Sequence, residues 1–355
     1  MGGNHHHGPS GWHHHPHQHR GLGAHTGSMD HIYSPKHHNG TFKAPGLHTF
    51  MGAPYCEPSR EAIRAVGARV AFLGVPYDEG QVCRPGASSG PQGIREASTQ
   101  YFPYMFEYKV DLLTAFNMVD CGDIPNVAAN PERSHQFIYD YVTELLHGGA
   151  MVVLCGGDHS VPIPACRALS DFHKDGRIGY AHYDCHLDAA SDWGGIKITN
   201  ASGMARAVEL PNCTGANIAH VGSRNAATPK DFVDFADDHG ILVEMMDDVI
   251  DRGVVPITHG VMERCCKGCD SVYLSIDTDC LDSSCAPGTT LPEPNGFTAR
   301  EMILAAKAAG EHGVGILEIS ELCSVFDINL ITSKLSCMIV CNFLGSHAKA
   351  QGLNF

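Results

Sequence analysis

From about residue 58 onward, apolar residues come in short unbroken runs separated by longer stretches of helical periodicity. Eight runs read as strands: RVAFLGV (69–75), AFNMVD (115–120), MVVLCGG (151–157), RIGYAHYD (177–184), NIAHVGS (217–223), ILVEM (241–245), SVYLSID (271–277) and GVGILEIS (313–320). Between them, PERSHQFIYDYVTELLHG (131–148) and TAREMILAAKAAGEHG (298–313) repeat apolar positions at helical spacing. The second opens on Thr298 with Glu301 three residues on, the signature of a capping box. Strands that are apolar throughout have no solvent face. Alternating with helices, they predict an α/β fold whose parallel sheet is covered on both sides. Such sheets place their sites at the carboxyl ends of the strands.

Three of these ends carry residues suited to cations. VVLCGGDHS closes on Asp158 and His159, YAHYDCHLD supplies Asp184, His186 and Asp188, and YLSIDTDCLD supplies Asp277 and Asp279 with Asp282 beyond. On an extended backbone alternate residues face one side, so each spacing can converge on a point. The candidate ligands are therefore His159, Asp184, His186, Asp188, Asp277 and Asp279. Four crowded carboxylates repel one another unless cations lie between them. Six donors also exceed what one four-coordinate ion takes. Two divalent ions sharing bridging carboxylates resolve both points, and such a pair makes a water held between them acidic enough to ionise near neutral pH. Each motif alone has a plainer explanation, because strand-end aspartates often cap the next helix. Recurrence at three strand ends favours the metals.

Composition narrows the partners. The net charge of −15 argues against nucleic acid and anionic membrane surfaces. No apolar run approaches the roughly 20 residues of a membrane span, and the polar N-terminus lacks the apolar core of a signal peptide. Fifteen cysteines, an odd number scattered through apolar stretches, point to reduced thiols and a cytoplasmic location. Cys266 and Cys269 form a CxxC without a second pair, so they are expected to be structural thiols. Residues 1–48 hold more than half of the 24 histidines amid Gly and Pro, with no apolar periodicity. That arm is expected to be disordered and to bind metal natively, rather than to be a tag.

GGDHS, the D-x-H-x-D of DCHLD, and SIDTDCLDSSCAPGT resemble the three metal motifs of the ureohydrolase family, which includes arginases and agmatinases. GVPYDEGQVCRPGASSGPQGIREAS and VDCGDIP resemble its agmatinase branch, and the resemblance runs from about residue 70 to 345. It implies a three-layer α/β/α fold around an eight-stranded parallel sheet, with residues 49–355 forming the catalytic domain. It also implies hydrolysis of a guanidino C–N bond and assembly as trimers or hexamers. Carried over, His159, Asp184, Asp188 and Asp277 would hold one ion. Asp184, His186, Asp277 and Asp279 would hold the other. Asp188 would relay a proton to the departing nitrogen, and Glu318 would hold the guanidinium through paired N–H donors.

The sequence departs from the family where a His-Gly pair is usual: Ser202-Gly203 stands there instead. A serine is no acid near neutral pH. Together with the histidine arm, Ser202 resembles a nickel-dependent branch acting on free guanidine or a biguanide such as metformin. On that reading Ser202 lies beside the substrate. Nickel is expected over manganese, and the chain is the active subunit of a homo- or hetero-hexamer of ureohydrolase-type subunits. The alternatives are an agmatinase or guanidinobutyrase, a deacetylase of the related single-zinc fold, and a non-catalytic partner subunit or nickel-storage protein.

Overall fold

The computed structural model describes residues 47–353. The expected disorder and metal binding of the histidine arm fall on residues outside that range, apart from Leu47 and His48.

All eight expected strands form, as β1 (Val70–Gly74), β2 (Val119–Asp123), β3 (Met151–Cys155), β4 (Ile178–Tyr183), β5 (Ile218–Ser223), β6 (Leu242–Met245), β7 (Ser271–Asp277) and β8 (Val314–Ser320). They make one parallel sheet in the order β2-β1-β3-β8-β7-β4-β5-β6. Both faces are packed. Phe72, Val153, Ala181, Leu274 and Leu317 enter one apolar core. Their neighbours Leu73, Val152, Leu154, Tyr273 and Ile316 enter the other. Unbroken apolar runs were the signal for this double coverage.

One strand begins later than the apolar pattern predicts. Residues 115 and 116 belong to a short helix, Leu112–Phe116, which Asp111 caps by accepting from Thr114 N at 2.9 Å. Asn117 ends it in the left-handed region with φ 46°, so β2 starts at Val119. The helix Pro131–Gly148 forms where expected. The second, Ala299–Ala309, starts where expected, with Thr298 and Glu301 making the reciprocal capping box, but stops at Gly310, short of the end of the 298–313 pattern. The helix Ile331–Ala350 is absent from the expectations above. It is buried almost all round, so no amphipathic stripe marks it.

All fifteen cysteines are free thiols. Cys266 ends the helix Val254–Cys266, and neither it nor Cys269 joins a metal-ligating group among the described residues. Among those residues no helix is long and apolar enough to cross a membrane.

Candidate metal centre

The four central strands, β3, β8, β7 and β4, deliver the site. Tyr183 pairs with Ile276, so Asp184 and Asp277 follow side by side at the ends of β4 and β7. Cys155 pairs with Ile319, and the chain after it turns through Gly156 and Gly157, both at positive φ (94° and 76°). A Cβ on Gly156 would lie 2.3 Å from the Pro91 ring, so only glycine passes there. That turn carries His159 over the end of the sheet.

Strand alternation explains less of the convergence than the spacing suggests. β4 ends at Tyr183, and His186 and Asp188 come from the bends after it. Asp188 takes φ 50°, a left-handed conformation that Asp tolerates better than most residues, which returns its carboxylate to the site. Asp279 likewise sits in a 3-10 turn, Thr278–Cys280, whose start Asp277 caps by accepting from Asp279 N at 2.8 Å.

The result is one continuous cluster. His159 Nδ1 lies 2.8 Å from Asp184 Oδ2, 2.9 Å from Asp188 Oδ2 and 3.2 Å from Asp277 Oδ2. His186 Nδ1 lies 3.3 Å from Asp184 Oδ1 and 3.1 Å from Asp279 Oδ2. Two overlapping groups of donors emerge: His159, His182, Asp184 and Asp188, and Asp184, His186 and Asp279. Asp184 belongs to both. Asp277 borders the first through His159. All six residues expected from sequence thus meet, whereas Asp158 and Asp282 turn away. Asp158 accepts from Gly80 N and Ser160 N, and Asp282 from Ser284 N and Gly296 N.

His182 is the addition. Its Nε2 lies 3.2 Å from Asp184 Oδ2, and its Nδ1 meets His220 Nδ1 at 2.8 Å. Reading the alternation two residues further back, H-x-D-x-H-x-D, would have found it.

The electrostatics call for cations. Burial alone would lower the pKa of His159, yet Asp184, Asp188 and Asp277 outweigh it and raise the group well above the usual imidazole range. His186 behaves alike, with Asp279 and Asp184 overcoming burial. Burial, and then Asp279 and Asp184, push Asp277 well up, and burial followed by Asp184 pushes Asp279 to about 6. Protons here stand in for missing positive charge. His159 Nδ1, His182 Nε2 and Asp184 Oδ2 are also buried without a well-directed hydrogen bond, despite their short separations. Ring nitrogens that face carboxylates at this spacing without a directed hydrogen bond fit divalent cations in place of the protons.

Behind His159, Ser275 Oγ meets Nε2 at 2.7 Å and donates to Glu318 Oε2 at 2.9 Å. Tyr273 donates to the same oxygen at 2.9 Å. Glu318 is wholly buried beneath the site, with Oε1 unpartnered. A second carboxylate, Glu321, was not singled out from sequence. At φ 60° it turns off the end of β8, and Oε1 accepts from His159 N at 2.7 Å and Asn200 Nδ2 at 3.2 Å. Its other oxygen receives Thr290 Oγ1 and Gln81 Nε2. Burial, and then Asp158, raise it to about 8.

Ser202 is buried at the start of the short helix Gly203–Ala207. Its Oγ meets Thr199 Oγ1 at 2.8 Å rather than a candidate ligand. Two residues on, Met204 N donates to Asp188 O at 3.1 Å. Arg224, also unforeseen, is buried and donates to backbone carbonyls, among them Asp279 O at 2.8 Å and Pro294 O at 2.8 Å.

A model of the arginase family matches residues 68–345. The chain belongs to the arginase family. Among its curated relatives, the proclavaminate amidinohydrolase of Streptomyces clavuligerus is 29% identical over 85% of this chain and 94% of that protein. The guanidinobutyrase of Pseudomonas aeruginosa is 30% identical over 78% of this chain and 85% of that protein. The solved Streptomyces clavuligerus enzyme superposes with a TM-score of 0.77 at 27% identity, covering 86% of this chain and 98% of that one. Like other arginase-family members, the chain is a metal-dependent hydrolase of C–N bonds in guanidino-type compounds, built on the family's three-layer α/β/α fold.

Proposed function

We propose that this chain cleaves a C–N bond of free guanidine or of a biguanide such as metformin. The observation that carries the substrate is Ser202. Its hydroxyl is committed to Thr199, so it brings no proton donor of imidazole type to the cleft. Proton transfer then rests on Asp188, whose carboxylate reaches His159 at the edge of the cluster and can take a proton and return it to the departing nitrogen. Such a scheme suits a small, nitrogen-rich leaving group.

His159, Asp184, Asp188 and Asp277 would hold one divalent ion, with His182 beside them. Asp184, His186, Asp277 and Asp279 would hold the other. When bound, the two ions supply a nucleophilic water at neutral pH and neutralise the four carboxylates. For the guanidinium we infer Glu321 rather than Glu318. Glu318 sits behind His159, with one oxygen bound by Tyr273 and Ser275. Glu321 lies among the loops over the strand ends, and the amide N–H of Gln81 already occupies a place that a guanidinium N–H can take. Nickel is our proposed metal, argued from the histidine-rich sequence of residues 1–48; the oxygen-rich donor set makes manganese the alternative. A hexamer, alone or with a second ureohydrolase-type subunit, is the proposed assembly.

Kinship with a guanidinobutyrase favours a second reading, hydrolysis of a linear guanidino amine or acid to urea. The two readings separate in one assay. Protein loaded with nickel or manganese is offered guanidine, metformin, agmatine and 4-guanidinobutyrate, and urea, ammonia and amine release are measured. Preference for guanidine or metformin supports the proposal. Preference for agmatine or 4-guanidinobutyrate overturns it.

A further inference from the structure

We propose that His182 is a further ligand of the ion at His159, held in its ligating tautomer by His220 and Ser223. Its nitrogen tilts that half of the centre toward nickel. The inference rests on the paired-metal reading above and is independent of the substrate.

One register row of the sheet is polar. Glu318 on β8 pairs with Ser275 on β7, Ser275 with His182 on β4, and His182 with His220 on β5. All four are wholly buried, and partners in register point to the same face of a sheet. In a sheet packed on both sides by apolar residues, such a row costs desolvation and needs a reason. Half of it stands behind His159, where Ser275 meets the ring and Glu318 accepts from Ser275. The other half repeats that arrangement behind His182.

The rings of His159 and His182 stack with centroids 4.9 Å apart, and both turn a nitrogen to one carboxylate oxygen. His159 Nδ1 lies 2.8 Å and His182 Nε2 3.2 Å from Asp184 Oδ2. None of these three atoms has a directed hydrogen bond. A hydrogen bond would set the oxygen close to the line of a ring N–H. A cation shared by nitrogen and oxygen sets the oxygen to one side of that line, and both rings have this geometry.

His182 Nδ1 lies 2.8 Å from His220 Nδ1, and His220 Nε2 lies 2.7 Å from Ser223 Oγ. Between two neutral rings the first contact holds a single hydrogen. With that hydrogen on His182, Nε2 keeps a lone pair for the ion, and His220 donates through its own Nε2–H to Ser223. The reverse order would aim His182 Nε2–H between Asp184 and Asp188 without meeting either oxygen squarely. His220 and Ser223 are therefore positioning residues. The resulting centre is asymmetric, with two imidazoles at the ion by His159 and one at the ion by His186. Imidazole suits nickel, whereas carboxylate oxygen suits manganese.

Crystals of nickel-loaded full-length protein should show His182 Nε2 bonded to the ion at His159, at the usual imidazole–metal length of about 2.0–2.1 Å. Nε2 donating to Asp184 or Asp188 instead overturns the proposal. In chelator competition, His182→Asn should lower nickel affinity at one of the two ions at least about tenfold more than manganese affinity there. His220→Phe removes the acceptor for Nδ1–H, and nickel affinity should fall by about 10- to 100-fold. His220→Gln, whose carbonyl can accept that hydrogen, should regain most of the loss. Damage to the fold alone would weaken nickel and manganese alike, so equal losses, or none, overturn the proposal. Where a variant does not fold, the crystals decide by themselves. Wild-type protein that takes up neither ion overturns the metal reading as well, whereas two bound ions with His182 on neither overturn this inference only.

Discussion

Ser275 holds His159 by its far nitrogen and thereby selects which nitrogen faces the carboxylates. The single proton of Ser275 goes to Glu318 at 2.9 Å, so its oxygen must accept from His159 Nε2–H at 2.7 Å. In the neutral ring that leaves Nδ1, 2.8 Å from Asp184, without a hydrogen and able to bind a cation in place of the proton. Ser275→Ala removes the acceptor, and the ring is free to choose the other tautomer. Affinity for the ion at His159 is expected to fall by about 10- to 100-fold, measured by competition with a chromophoric chelator. Unchanged affinity would show that the relay does not set the tautomer.

Asp279 reaches His186 at 3.1 Å but makes no ion-pair contact with His159, so its loss should be felt on one side of the cluster. Asp279→Asn keeps the shape and removes the charge that holds a hard cation. Elemental analysis of metal-loaded protein should fall from two ions per chain to about one, with activity reduced by at least about 100-fold, close to 3 kcal/mol of barrier. One ion per chain in the fully active wild type would sink the paired-metal reading.

The centre was legible because a metal site is written in residue types at strand ends. His159, Asp184, His186, Asp188, Asp277 and Asp279 all arrive where their motifs point. What sequence did not give was how they arrive. The backbone bends at Asp188 and Asp279 replace the alternation that their spacing suggests. Glu318 and Glu321 show the harder limit: both are acidic residues near the end of one apolar run, and only the left-handed turn at Glu321 separates a carboxylate under the site from one over it. Likewise nothing in GSRNAA foretells that Arg224 serves backbone carbonyls 55 and 70 residues away.

Arg224 gives that last point a test. Its guanidinium bonds the carbonyls of Asp279 and Pro294 from a buried position, fixing the loop that carries Asp279. Lysine keeps the charge but not the planar array of five donors. Arg224→Lys should destabilise the fold by about 2–4 kcal/mol, from buried carbonyls left unpaired. It should also weaken the ion at His186 and Asp279 more than the ion at His159. Urea denaturation and site-resolved metal titration read the two effects. Equal weakening of both ions would mean that Arg224 acts on the sheet as a whole rather than on the Asp279 loop.

Acid stability isolates a group away from the metals. His135 is buried, and burial followed by the charge of Arg167 lowers its pKa from 6.5 to about 4. Its Nε2 lies 3.1 Å from Ser160 Oγ, whose own hydrogen goes to Asp158, so the neutral ring donates there. In the unfolded chain His135 takes up a proton below about pH 6.5, whereas in the folded protein it stays neutral down to about pH 4. Between those values the unfolded state holds more protons, so stability rises with pH. The contribution is complete above about pH 6.5. It is lost as pH falls toward about 4, where the loss levels off at a size of about 3 kcal/mol. His135→Gln keeps a donor for Ser160 and cannot be protonated. Urea denaturation of metal-free protein, in chelator, at about pH 7 and about pH 4.5 should therefore show a smaller acid loss in the variant than in the wild type. Chelation removes the separate effect of metal release, and the difference between the two proteins removes the shared titration of the carboxylates. Parallel stability curves for the two proteins would show that His135 is protonated alike in both states, and its burial would then carry no pH dependence.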